Sequence, residues 1–126
     1  MHPISAFFAV ACLATFASAA SAAGGDAQAG AALYQARCSA CHSMDHHGVG
    51  PAHRGVYGRA AATAPGFVYS DGLKASHLVW SEDTLDRWLT DPEKTAPGQR
   101  MFVNVPDAKE RADLIAYLKQ ASAVVK

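Results

Sequence analysis

Two thiols stand two residues apart with an imidazole directly behind them: Cys38-Ser39-Ala40-Cys41-His42, within ARCSACHSMDHHGVGP. Three chemistries use such a group. A thioredoxin-like dithiol couple needs its cysteines at a helix start inside a βαβ pattern, which this chain lacks. A structural zinc site needs a second pair of ligands at matching spacing, and only scattered histidines remain to supply it. Covalent haem attachment needs every residue that is written here. Each thiol adds to one of the two vinyl groups, whose separation matches a two-residue gap, and His42 turns its imidazole to the iron. Alone, the pentapeptide is a moderately specific signal, with chance occurrence as the plain alternative.

A haem with His42 on one face needs an open site or a second ligand on the other. In TAPGQRMFVNVP, Met101 follows Pro97-Gly98 in a loop before the last helix. Pro97 and Gly98 specify a tight turn that can hold a soft thioether against iron. Met101 could instead be a core residue beside Phe102 and Val103. Met44, two residues from His42, is too near it to reach the opposite face. The metal ligands expected are therefore His42 and Met101.

Few elements are available to position these groups. Asp26 caps a predicted first helix that runs to about Cys38, with Leu33 and Tyr34 on its apolar face. Gly30 in its middle costs about 1 kcal/mol against alanine and suggests close approach by another element. Ser81-Glu82-Asp83-Thr84 opens a second helix, with Leu85, Trp88 and Leu89 at i, i+3, i+4 and a stop at Asp91-Pro92. Asp107-Ala108-Lys109-Glu110 has the capping-box pattern and opens a final helix carrying Leu114, Ile115, Tyr117 and Leu118. Between about Ser43 and Val79, glycine and proline recur too densely for strands. A loop region of that length needs something to wrap, and so small a helical core gains from a large apolar ligand.

The chain has 126 residues, half of them apolar, and a net charge of +0. One domain is expected, and nothing in the charge balance suggests nucleic acid. The segment from Ile4 to Ala17 is uncharged and mostly apolar, and small residues follow it to Ala23. Residues 1–23 read as a signal peptide cleaved at Ala20-Ser21-Ala22 or Ser21-Ala22-Ala23, leaving a domain over 24–126. Export to the periplasm follows. A retained membrane anchor is the lesser alternative, since about 20 apolar residues are needed to span a bilayer. Cys12 raises a lipoprotein reading but leaves almost no apolar region before it. Only Cys38 and Cys41 then remain in the mature chain.

With these motifs in order, the sequence resembles a class I c-type cytochrome of the mitochondrial cytochrome c and bacterial cytochrome c2 group. The likeness runs from Gly25 to Lys119. It takes in the Cys38–His42 pentapeptide, Gly50-Pro51, Gly58-Arg59, Pro65-Gly66-Phe67, Tyr69, Trp80, Pro97-Gly98, Met101 and ERADLIAYLK. It implies an all-α cytochrome c fold, with three main helices and long loops wrapped around one covalent haem c, and terminal helices that cross near right angles. It implies that Pro51 offers its carbonyl to His42. Tyr69 and Trp80 would bond a buried haem propionate that Arg59 partly neutralises, and Gly30 would let the first helix cross the last beside Tyr117.

The implied function is soluble one-electron transfer, with redox proteins as partners: a membrane cytochrome complex, a terminal oxidase or reductase, or a photosynthetic reaction centre. The expected state is a monomer without membrane insertion. A haem enzyme, peroxidase-like or gas-binding, is the alternative, and a bound Met101 opposes it by blocking the iron. No carboxylate pair suggests acid–base catalysis, so no catalytic residue is expected. Trp88, Gln99 and Leu73 stand where the family pattern has tyrosine, threonine and asparagine. Lys94 and Arg100 are what is left of a lysine ring around the haem edge, and Glu93 beside them argues against strong docking to acidic partners. His46 and His47 are expected to be solvated; His53 and His77 are expected to be surface or satisfied loop residues.

Overall fold

The structure, a computed structural model, describes residues 24–124. The expected signal segment and Cys12 lie outside the described residues. Five helices follow one another: α1 Ala27–Arg37, α2 Asp71–Ala75, α3 Glu82–Thr90, α4 Pro92–Thr95 and α5 Ala108–Ala123. The described residues contain no strand. An isolated antiparallel bridge joins Ala60 to Val79.

The three helices expected from the sequence start where side chains satisfy their first amides. The Asp26 carboxylate accepts from the N–H groups of Gln28 and Ala29 at the head of α1. Ser81 and Thr84 form a reciprocal capping box at α3. At α5 the Asp107 side chain accepts from Glu110 N.

The remaining two helices were not expected. Ser70 caps α2. Asp91 both ends α3 and caps α4, with Pro92 in the first turn. The extended backbone that proline imposes on Asp91 does stop α3. The same proline, lacking only an amide that a first turn leaves unpaired, then starts a new helical turn.

Helix α1 packs mainly on α5, and α3 packs on both α4 and α5. Gly30 sets the first of these approaches. A methyl group there would lie 1.9 Å from the Asp113 carbonyl oxygen and 2.9 Å from Tyr117 Cβ. Asp113, itself buried, ties the crossing. Its Oδ1 accepts from Asp26 N at 2.8 Å and its Oδ2 from Lys109 Nζ at 2.7 Å. A two-pronged pair between Arg37 and Glu110 adds a second tie.

The core joins Tyr34, Val56, Trp80, Leu85, Trp88, Leu89, Ala96, Val105, Leu114, Ile115 and Leu118. Each large apolar side chain buried there contributes about 1.5–3 kcal/mol. Most of these side chains also line a cavity, together with residues of the long loops.

Candidate functional site

The cavity measures about 440 Å³ and its lining is mostly apolar. Cys38, Cys41, His42, Pro51, Arg59, Tyr69, Trp80 and Met101 all line it. The structure therefore gathers into one space residues that the sequence spreads over three loops and a helix end.

Cys38 terminates α1 and donates its N–H to the Tyr34 carbonyl. The chain then turns tightly, with Cys41 N and His42 N both donating to the Cys38 carbonyl, at 3.1 and 2.9 Å. This turn sets the spacing of the two sulfurs and the imidazole by local backbone geometry. Cys41 is exposed and Cys38 half-buried. Burial pushes the Cys38 thiol up, only partly offset by Arg37.

His42 Nδ1 donates to the Pro51 carbonyl at 2.8 Å. A carbonyl only accepts, so the proton sits on Nδ1 and the Nε2 lone pair is free for a metal. Burial pushes the His42 pKa down, which favours this neutral form. Gly50 supports the ring from close range: a methyl there would sit 2.2 Å from His42 Cε1. Only a residue without Cβ lets the backbone pass so near.

The bridge between Ala60 and Val79 places Arg59 beside Trp80, whose N–H donates to the Arg59 carbonyl at 2.9 Å. The Arg59 guanidinium gives one N–H to the Arg54 carbonyl at 3.1 Å. Its Nε is buried without a hydrogen-bond partner among the described residues. A buried charged donor left unpaired is costly, so this atom calls for an acceptor that the described residues do not supply. Tyr69 accepts from Ala64 N at 3.2 Å, which leaves its hydroxyl proton to give. A carboxylate-bearing macrocycle meets these demands. The donor set of two thiols, a neutral imidazole and a thioether fits a haem as well, so the residues present suit that group.

Sequence reasoning missed the setting of His53. It is the satisfied loop residue that was expected, but its place was not: it lines the cavity, and its ring stacks on His42, with centroids 3.9 Å apart and planes 20° apart. His53 Nδ1 and the Tyr34 hydroxyl share a hydrogen bond of 3.0 Å. Burial, with the nearby His42 and Arg59, pushes its pKa down to about 3, so the stacked ring is neutral. No sequence signal marked it, because Tyr34 lies 19 residues away.

His47 is exposed but not merely solvated. It accepts from Ala52 N at 3.0 Å and donates to the Pro65 carbonyl at 2.8 Å, stapling two loops together. Among the described residues no group of three or more His, Cys, Asp or Glu could hold a further metal ion.

The three departures from the family pattern fall in different places. Trp88 and Leu73 line the cavity, and Trp88 meets Trp80 edge-on with centroids 5.5 Å apart. Gln99 is buried but stays outside the lining.

The family model described as cytochrome c matches residues 27–122. A cytochrome c of Gibberella zeae is 41% identical over 104 residues, covering 79% of this chain and 98% of that one. The c-type cytochrome cy of Rhodobacter capsulatus is 45% identical over 96 residues, covering 75% of this chain and 48% of that one. Among solved structures, cytochrome cH from Methylobacterium extorquens superposes with a TM-score of 0.73 at 46% identity, covering 76% of this chain and 99% of that chain.

Proposed function

We propose that this chain, which belongs to the cytochrome c family, is a periplasmic one-electron carrier whose haem iron is held between His42 and Met101. The cofactor is one haem c attached through Cys38 and Cys41, and it supplies the ferrous–ferric couple. The protein is an electron-transfer protein rather than an enzyme.

The observation that carries the reading is one largely apolar cavity lined by both a neutral His42, with its Nε2 free, and Met101. Each residue then has a task. Pro51 fixes the His42 tautomer and strengthens its donation. Met101 supplies a soft ligand that favours the reduced metal and raises the potential. The apolar lining disfavours the extra positive charge of the oxidised site, in the same direction. Arg59, Tyr69 and Trp80 would pair with the carboxylates of the group, and Arg59 would offset their charge. A site with both ligands held in place needs little rearrangement when an electron arrives or leaves.

Redox proteins are the partners. No described helix is long and apolar enough to cross a membrane. The balanced net charge of +0 argues against strong docking to acidic partners.

Intact mass and an absorption spectrum of the exported protein test the reading. The mass should exceed that of the polypeptide by one haem. The ferric protein should be low-spin, with a methionine-to-iron charge-transfer band. Met101→Ala should keep the added mass, lose the band and lower the potential. An unaltered band in that variant assigns the sixth position to another residue, and a bare-polypeptide mass ends the proposal.

A further inference from the structure

The loop that carries Met101 has its own fastening, built from two residues that neither line the cavity nor share its chemistry. Gln99 is buried, with 6% of its surface exposed. Its amide oxygen accepts from the Met101 N–H. Its amide nitrogen donates to Glu93 Oε2 at 3.3 Å. The other oxygen of the same carboxylate accepts from Gly98 N at 2.9 Å. Gln99 N donates in turn to the Ala96 carbonyl at 3.1 Å, and Ala96 is almost fully buried. Between these ends Gly98 takes a positive φ of 83°, which closes the turn.

These bonds form a relay from the exposed side of α4 to the backbone of the methionine. A thioether has no strong hydrogen bond of its own by which a protein can aim it. Its direction has to come from the backbone that carries it, and Met101 N belongs to that backbone. We propose that Gln99, steadied by Glu93, is the positioning residue for Met101 and keeps its thioether in the cavity against competing ligands. This role rests on the reading of Met101 as the sixth ligand.

The test uses the haem-loaded ferric protein and imidazole as the competing ligand. Loss of the methionine-to-iron band reports displacement. Gln99→Ala should bind imidazole about tenfold more tightly than the parent, the effect of about one hydrogen bond on a competing equilibrium. Glu93→Ala, on the exposed side, should give a smaller increase of a few-fold. The double variant Glu93→Gln/Gln99→Glu keeps an acceptor for Met101 N and a donor between the two side chains, and should return towards parental affinity. Ile115→Val, in the core but outside the cavity lining, controls for general loosening. It should lower the melting temperature and leave imidazole affinity unchanged.

Affinity of Gln99→Ala within twofold of the parent overturns the role, as does an Ile115→Val shift of equal size or a failed rescue by the double variant. A parent spectrum without the band overturns the Met101 reading itself, and this role falls with it.

Discussion

The segment around His42 and the segment around Met101 meet the same cavity, but they are held in different ways. His42 has a polar handle on its own ring. Nδ1 donates to Pro51, nine residues along the chain, and Gly50 abuts the ring directly. Its backbone is pinned within the same turn, through Cys38. Met101 has no handle on its sulfur, and the hold is on its main chain. The turn before it is clasped by Glu93 on one side and by Gly72 of α2 on the other. A methyl at Gly72 would lie 2.2 Å from the Pro97 carbonyl oxygen and 2.9 Å from Gln99 N. An imidazole can thus be aimed through a polar atom of its own ring, whereas a thioether needs a loop immobilised from several elements.

If that contrast is real, the two close-packed glycines should separate the two sides, with the largest effects. Gly50→Ala should cost about 3 kcal/mol in urea unfolding, from overpacking plus the strained or lost Pro51 bond. It should also disturb haem features on the His42 side. Gly72→Ala should instead weaken the methionine band while leaving the His42 side intact. Equal disturbance of both sides by either variant would break the comparison.

His53→Leu sharpens it from the other direction. Removing the stacked imidazole leaves the Tyr34 hydroxyl without its partner and should cost about 1 kcal/mol. The paramagnetic proton shifts of the ferric protein should change for His42 protons, and imidazole affinity at the Met101 side should stay put. A raised imidazole affinity would mean that the two sides are coupled.

The smallest effect concerns the helix crossing beneath the His42 segment. Lys109 first, and then the Asp26 N–H, hold the Asp113 carboxyl below its ordinary value of 3.8. The stabilisation is therefore complete above that value and is lost as pH falls through the lower folded one. Asp113→Asn should flatten this acid limb, seen by thermal melts below about pH 5. An unchanged acid limb would show that the crossing does not depend on this carboxylate.

Much of the fold is legible from local chemistry. Asp26, Ser81 and Asp107 cap their helices through amides two or three residues away, so these starts can be read directly. Gly30 likewise announced a close neighbour, although only Asp113 and Tyr117 identify it. The short α2 and α4 are not legible in this way. Helices of five and four residues carry too little periodicity to stand out from a loop. Gln99 was visible only as a departure from a family pattern. Its reach to Glu93 and Met101 depends on how a glycine-containing turn closes.

Reading the chain was enough to obtain the attachment chemistry, because two thiols and an imidazole within one turn of backbone, taken with Met101 and the other motifs in order, can be recognised from spacing along the chain. The same holds for the three capped helices and the candidate ligand pair. Folding in three dimensions decided that His53 stacks on His42, that Arg59 is left with a buried unpaired donor beside Trp80, and that Gln99 and Gly72 grip the Met101 turn. Those facts rest on loops closing over tens of residues, where neighbours are set by packing rather than by spacing along the chain.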